Sequence, residues 1–340
     1  MPTADGVSMD ADIQQAPVAV SGAAARAQVE DIRRLSDDIV EIALAVPEDC
    51  WRPVEAGAHL RLDFGAGLVR CYSLCNIGDV PGRYVVAVKR EADSRGGSAA
   101  AHALRIGDAL AVAGPFNQFA PDWTEHRLVL VAGGIGITPL YAMAQAAAAR
   151  GHDFVLHYFL REPRQAAYLD ALSAGAYAPH LRVHAGLGPE EVQAAVAALL
   201  TEVTRDDGLY VCGPRPLIEL VRAQAADVLP AARIHWESFG GNGDAAAAAD
   251  ADAPFEISLL SGEGPFTVPP GQSALAVLLA AGIDVPFSCR EGECGMCVVE
   301  VIEGQPDHRD RFLSEDMRSR GKHIALCVSR ARGPRIVVDF

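Results

Sequence analysis

The sequence predicts a multi-domain chain: an antiparallel β-barrel, then an α/β unit on a parallel sheet, then a small α+β unit at the C-terminal end. Three observations predict it. Short β-branched runs separated by turn residues recur up to about Asp122. From Arg127 a continuous apolar run leads into a glycine turn and an alanine-rich helix, the start of a strand–helix alternation. Past a stretch of Gly, Ala and Asp, three cysteines stand at C-x4-C-x2-C spacing, and a fourth, Cys327, follows.

Composition sets outer limits. The chain has 340 residues, 50% hydrophobic but only 6% aromatic, so its cores are built mainly from Val, Leu, Ile and Ala. A formal net charge of −15 argues against nucleic acid or an anionic membrane as partner. No apolar run reaches the length that spans a bilayer. Met1–Gln15 is acidic and lacks the basic start and apolar run of a signal peptide. The expected location is therefore the cytoplasm, where thiols stay reduced.

Taken in order, residues 1–26 show no sustained period and read as a flexible tail. The barrel is expected over 27–122, with strands at Val29–Arg33, Ile39–Val46, His59–Phe64, Val69–Leu74, Tyr84–Arg90 and Asp108–Val112. The α/β unit is expected over 123–239. Arg127–Ala132 reads as a strand buried on both faces, and Gly133-Gly134-Ile135-Gly136-Ile137-Thr138-Pro139 turns from it into a helix over Leu140–Arg150. Further strands are expected at Phe154–Leu160, Leu181–His184 and Gly208–Cys212, with helices around Gln165–Leu172 and Pro216–Val228. Residues 240–253 hold no large apolar side chain and read as a linker. In the last unit, 254–340, Phe255–Leu260 and Pro265–Val268 form a hairpin, and Ser273 caps a helix over Ala274–Ala281 that Gly282 closes.

Three groups of residues point to chemistry. The spacing of Cys289, Cys294, Cys297 and Cys327 is that of plant-type [2Fe–2S] ligation. Gly292 and Gly295 allow a tight loop around a cluster and keep side chains out of its way. A zinc site competes, but zinc knuckles pair two short hooks, and here the second hook is Cys327 alone. A disulfide framework needs export, and buried thiols without a ligand role are the third reading.

In the barrel, Arg70-Cys71-Tyr72-Ser73-Leu74 ends a strand. It reads either as an ordinary surface strand or as a flavin contact, with Tyr72 stacked on the ring, Ser73 bonded to its reactive nitrogen and Arg70 on a phosphate. Lys89-Arg90-Glu91 and Ser94-Arg95-Gly96-Gly97-Ser98 read as a mononucleotide-phosphate cradle, or as a plain glycine turn with a serine cap. In the α/β unit the glycine turn follows a buried strand and opens a helix, as a nucleotide-binding turn must. It is not G-x-G-x-x-G, because Pro139 stands where the last glycine belongs. Tyr210-Val211-Cys212-Gly213-Pro214 ends another strand, so both turns lie on the sheet edge where open α/β sheets bind ligands. Cys212 alone also reads as a small buried hydrophobe.

In this order the motifs resemble the phthalate dioxygenase reductase and vanillate demethylase reductase family, over about residues 27 to 340. The resemblance implies a flavin-binding β-barrel, an NAD-binding α/β domain and a β-grasp ferredoxin domain with a plant-type [2Fe–2S] cluster. It implies that Arg70, Cys71, Tyr72 and Ser73 hold the flavin, and that Val88, Lys89, Arg95, Gly96, Gly97 and Ser98 hold its phosphate end. The Arg-Gly-Gly-Ser element implies FMN instead of FAD. Gly133, Gly134, Gly136, Thr138, Pro139, Gly213 and Pro214 are implied contacts of the pyridine nucleotide. NADH is favoured, although Arg161 and Arg164 would also suit the ribose phosphate of NADPH. Cys212 is implied beside the hydride-bearing carbon, and Phe239 of Trp236-Glu237-Ser238-Phe239 over the flavin. Ser73, Cys212 and Phe239 are thus the expected catalytic residues.

Hydride carries two electrons and a [2Fe–2S] cluster takes one, so a flavin between them converts pairs to single electrons. The chain reads as an NADH-dependent reductase with no oxygenase centre, because no C-x-H pair of the Rieske kind occurs. The resemblance implies a Rieske-type oxygenase as the partner. Two alternatives stay open: a cytochrome P450 or other hydroxylase as acceptor, and a non-catalytic redox-sensing protein.

Overall fold

The structure is a computed structural model that describes residues 25–65, 68–78, 81–92, 96–239, 252–287, 292, 295, 297–310, 312–313 and 315–340. Arg95, Cys289 and Cys294, with tail residues 1–24 and linker residues 240–251, lie outside the described residues.

The first unit holds β1 (Ala25–Arg34), β2 (Ile39–Ala45), β3 (Ala58–Asp63), β4 (Val69–Ser73), β5 (Arg83–Lys89), α1 (Gly97–Ala103) and β6 (Ala109–Asn117). Its strands are antiparallel in the order β4-β3-β6-β1-β2-β5. A bridge from Leu74 to Val86 brings the end of β4 onto β5 and closes the strip into a barrel. The alternation that predicted strands now has a direction: Ile42, Leu44, Leu60, Leu62 and Val86 fill the interior. β6 runs past the expected end at Val112 as far as Asn117. A register shift opposite His59 and Arg61 accommodates Gly114 and Pro115 there, a bulge at which proline's missing N–H is tolerated.

The second unit holds β7 (Leu128–Gly133), α2 (Ile137–Arg150), β8 (Phe154–Leu160), α3 (Leu169–Leu172), β9 (Leu181–Ala185), α4 (Pro189–Leu200), β10 (Gly208–Cys212), α5 (Arg215–Ala225) and β11 (Ile234–Glu237). The sheet is parallel in the order β11-β10-β7-β8-β9. Every residue of β7 and β10 is buried, which is why both read as unbroken apolar runs. From β7 the chain builds outward through β8 and β9, then returns to lay β10 on the other side. The crevice between the carboxyl ends of β7 and β10 is therefore the switch point of the sheet.

The single helix expected at Gln165–Leu172 is corrected. A 3-10 turn at Pro163–Gln165 and the short α3 are separated at Tyr168, whose φ is 60°. Its ring is buried and stacks on Tyr141 at 4.3 Å, so packing overrides helix continuity. Two elements lie beyond the expected order, α4 and β11. Helix α4 starts with Pro189 at its first position, and Glu191 accepts a 2.7 Å hydrogen bond from the Gly188 N–H.

The third unit holds β12 (Phe255–Leu259), β13 (Phe266–Val268), α6 (Ala274–Ala280), β14 (Val298–Glu303), β15 (Pro306–Asp307), α7 (Glu315–Arg320), β16 (His323–Ala325), β17 (Arg330–Ala331) and β18 (Arg335–Asp339). Its main sheet runs β13-β12-β18-β14-β16, with β12 and β18 parallel at the centre and antiparallel pairs outside. Helix α6 packs Leu275 and Leu278 into that core, and Ser273 caps it by accepting from the Ala276 N–H at 3.2 Å.

The barrel and the α/β unit share one core. Ile39, Cys75, Ala87 and Phe119 pack in the same cluster as Leu140, Met143 and Tyr210. The Gln145 amide donates to the Cys75 carbonyl at 2.7 Å, and the Asp122 N–H donates to the Tyr210 hydroxyl at 2.7 Å. Among the described residues, the core of the third unit is a separate cluster.

Candidate functional site

The nucleotide edge is built from backbone. At the switch point Ala132 pairs with Cys212 across the β7–β10 ladder, so the two glycine turns leave adjacent strands side by side. A Cβ on Gly136 would overlap the Cys212 carbonyl, and one on Gly133 would stand 2.6 Å from Pro214 Cδ. A Cβ on Gly213 would lie 2.8 Å from the Cα of Gly133. The turns are thus locked face to face, which no side chain would permit. Gly134 differs: it is exposed, has φ 55° and has open space around it. The first-turn N–H groups of α2 face this crevice end, where a helix favours anions. Thr138 is buried and its hydroxyl donates to the Ile135 carbonyl at 3.0 Å, so it steadies the turn. Pro139 occupies the first turn of α2, where a missing N–H costs nothing. Cys212 is fully buried. Its neighbour across the β10–β11 ladder is Glu237, a carboxylate beside the thiol that the sequence reading passed over as part of an aromatic segment. Phe239 is 43% exposed, an uncovered ring just beyond β11.

The flavin candidate is built from side chains. Ser73 is only 4% exposed, and its hydroxyl has no hydrogen-bond partner among the described residues. A buried hydroxyl without a partner costs about 1–3 kcal/mol, so it fits a ligand atom placed against it. Tyr72 lies on the same strand, half-buried, and burial pushes its phenol up to about 12, so it stays a neutral hydrogen-bond donor. Cys71 is half-exposed on the same strand. The Arg70 side chain packs against Gly97 at the start of α1, where a Cβ would stand 2.9 Å from the Arg70 Nε. Gly96 has φ 94° and precedes that helix. Ser98 accepts from the Glu91 N–H at 3.1 Å, which folds the Val88–Glu91 segment onto the glycine pair. Lys89 forms ion pairs with Asp38 at 4.0 Å and Glu91 at 3.7 Å. Val88 lies in the barrel interior, and its carbonyl is bonded to His102 at 2.9 Å. The fold therefore gathers the Arg70, Lys89 and Gly96–Ser98 segments at one end of the barrel.

The third candidate surrounds the described part of the cysteine loop. Cys297 and Cys327 are both buried in the core of the third unit, and the Leu326 N–H donates to the Cys297 carbonyl at 3.1 Å, so their backbones are neighbours. The Gly292 N–H points at the Cys327 sulfur at 3.2 Å. An amide aimed at a thiolate suits an iron–sulfur ligand. Gly292 (φ 75°) and Gly295 (φ 71°) adopt left-handed backbone. A Cβ on Gly292 would stand 2.8 Å from the Asp310 Cα, and one on Gly295 would overlap the Phe312 ring. Asp310 is buried and accepts from the Ser329 hydroxyl at 3.0 Å and the Leu313 N–H at 2.9 Å, bracing both sides of the loop. No disulfide joins any of the described cysteines.

Barrel, open α/β sheet and cysteine-bearing β-grasp unit define the class: a modular oxidoreductase with a [2Fe–2S] domain. Residues 260–332, which include all four candidate ligands, match the 2Fe-2S iron-sulfur cluster binding domain family. The chain is 37% identical over 315 residues to a vanillate O-demethylase oxidoreductase of a Pseudomonas species, spanning 92% of this chain and 98% of that one. It is 34% identical over 318 residues to phthalate dioxygenase reductase of Burkholderia cepacia, spanning 93% and 97%. A solved phthalate dioxygenase reductase, described as a modular structure for electron transfer from pyridine nucleotides to [2Fe–2S], superposes with a TM-score of 0.70 at 34% identity, covering 93% of this chain and 98% of that one. An intact type IV self-sufficient cytochrome P450 monooxygenase superposes at 0.77 and 34% identity, covering 93% of this chain but 41% of its own. The chain belongs to the phthalate dioxygenase reductase and vanillate demethylase reductase family, and it is an NAD(P)H-dependent electron-transfer oxidoreductase. Among the described residues no helix is long and apolar enough to cross a membrane.

Proposed function

We propose that this chain is the reductase component of a Rieske-type oxygenase or demethylase system, taking hydride from NADH onto FMN and delivering single electrons through its [2Fe–2S] cluster. The division into a flavin unit that begins with β1 at Ala25, two residues before the expected 27, and runs to 122, a nucleotide unit at 123–239 and a cluster unit at 254–340 belongs to the same proposal. The observation that carries it is the partnerless buried hydroxyl of Ser73, on the strand whose Arg70 packs against the Gly97 turn. A flavin bound there supplies the conversion of an electron pair into single electrons. Ser73 then holds a hydrogen bond to the reactive ring nitrogen, Tyr72 packs along the ring, and Arg70, Lys89 and the Arg95–Ser98 segment neutralise the phosphate. The Arg95-Gly96-Gly97-Ser98 element at the phosphate end favours FMN over FAD.

Across the crevice, the first turn of α2 receives the nucleotide diphosphate and the locked turns fix its approach. Cys212, buried at the end of β10, excludes water beside the reacting carbon, with Glu237 next to it across the ladder. Phe239 covers the ring face until the nicotinamide arrives. Cys289, Cys294, Cys297 and Cys327 hold the cluster, and the Gly292 N–H stabilises the Cys327 thiolate. A cytochrome P450 acceptor is a second reading, favoured by the likeness to the self-sufficient P450. The test is chromatography of the flavin released by heat, followed by steady-state reduction of a Rieske oxygenase and of a P450 with NADH and NADPH. FMN and faster NADH-driven reduction of the Rieske protein support the proposal; FAD, or reduction of the P450 alone, contradicts it.

A further inference from the structure

We propose that Arg61 is a positioning residue for the flavin-to-cluster step, holding the cysteine-bearing unit against the flavin strand through the ring of Phe287. This rests on the reading that β4 carries the flavin. Arg61 lies on β3, and the ladder pairs it with Cys71 of β4, beside Tyr72 and close to Ser73. Its guanidinium carbon stands 5.6 Å from the centroid of the Phe287 ring. That is within the roughly 6 Å over which a cation is attracted to a ring face. The Arg61 Nε is buried without a hydrogen-bond partner among the described residues, so at that atom no hydrogen bond competes with the ring contact. Phe287 in turn packs on the third unit's core together with Cys297 and Cys327, and it stands two positions before Cys289 in the chain. One contact thus joins the strand pair of the flavin site to the mouth of the cysteine loop.

The barrel and the α/β unit share a core, whereas among the described residues the third unit's core is separate from theirs. Units joined without a shared apolar core move relative to one another unless specific contacts hold them. Electron tunnelling weakens steeply with distance, so the fraction of molecules with Arg61 seated on Phe287 sets the transfer rate. Phe312 lies over Gly295 and is 43% exposed, so the face beside Gly295 stays open for delivery. Two passages of one electron each return the hydride-reduced flavin to its oxidised form, its proton going to water, while the cluster is reduced and re-oxidised twice by the acceptor.

The test is anaerobic stopped-flow absorbance on the full holoprotein with NADH, alongside hydrogen–deuterium exchange of the same samples. In Arg61→Gln and in Phe287→Leu, bleaching of the flavin keeps its rate while reduction of the cluster slows about threefold to thirtyfold, the worth of one cation–π contact. The double variant slows no further, Phe287→Tyr stays near the parent because the ring remains, and exchange rises in residues 58–63 and 283–287 of the slow variants. Phe287→Leu keeps apolar volume, so a mere packing role would leave it fast. Parent rates and parent exchange in Arg61→Gln overturn the proposal. Failure of NADH to bleach the flavin in the parent overturns the flavin and nucleotide assignments instead, and the exchange result then still decides whether Arg61 seats Phe287.

Discussion

On the proposed function the nucleotide edge and the flavin strand are two halves of one reaction centre, yet they are made in opposite ways. At the nucleotide edge Gly133, Gly136 and Gly213 bring two turns into backbone contact, and it is the backbone that sets the shape of the site. On the flavin strand the backbone is ordinary β-structure, and Ser73, Tyr72 and Arg70 give the site its character. In the first region a substitution alters the fold before it alters chemistry. In the second it alters chemistry and spares the fold.

The sharpest way to break that contrast is Gly136→Ala. The new methyl would overlap the Cys212 carbonyl, and backbone on both sides leaves it nowhere to go. The expected cost is about 3 kcal/mol of stability in the α/β unit. NADH-driven flavin bleaching should be lost while dithionite still reduces the flavin, which urea unfolding and an anaerobic titration check together. Parent stability would mean that the turns are not locked.

Ser73→Ala is the counterpart. It removes a buried hydroxyl with no partner among the described residues, so the stability of the flavin-free protein should hold or rise, by up to about 1–3 kcal/mol. Hydride transfer measured by stopped flow should fall about 100-fold, the usual loss when one preorganised donor is removed. A destabilised Ser73→Ala with an unchanged rate would reverse the assignment of the two regions.

A third test sharpens the comparison within the α/β sheet, where side chains also matter. His157 on β8 is buried and lies 3.1 Å from His184 on β9, ring nitrogen to ring nitrogen. Burial first, then the His184 and arginine charges, lowers the His157 imidazole from 6.5 to about 4. The folded state therefore prefers neutral His157. Its contribution is full above pH 6.5, is lost as pH falls from there toward about 4, and is flat below. About 3 kcal/mol of stability should disappear across that window. His157→Phe should flatten the dependence, as urea midpoints at pH 4.5 and 7 would reveal.

The smallest effect is expected at Gly295→Ala. Its methyl also meets a neighbour, but that neighbour is the exposed ring of Phe312, which can swing aside. Only the left-handed backbone remains to be paid for, about 1–2 kcal/mol. The loss should appear as a lower melting temperature with the cluster's visible absorbance retained.

Much of this was legible in the sequence because the signals are local. The runs at Leu128–Gly133 and Gly208–Cys212 are unbroken because both strands are interior, and the glycine turns follow them directly. The cysteine spacing is local in the same way. What the sequence hid is set by distant partners. Tyr168 breaks an expected helix because Tyr141 stacks on it from another element. β6 outruns its apolar signal because it bulges at Gly114 and Pro115 opposite β3, which absorbs the proline. Glu237 gains its interest only from Cys212 on the next strand. Helix α4 is different: Val192, Val196, Leu199 and Leu200 carry a helical period, with Pro189 and Glu191 at its start, so its signal was present. The partnerless hydroxyl of Ser73 and the seat of Arg61 on Phe287 have no sequence signature at all.

The most direct measurement is an anaerobic absorbance spectrum of the purified full chain before and after NADH. The expected spectrum shows overlapping flavin and [2Fe–2S] bands that bleach rapidly when NADH is added, flavin first and cluster after it. A chain that carries zinc and no visible bands, or one whose bands neither NADH nor NADPH bleaches, would contradict electron flow from nucleotide through flavin to cluster.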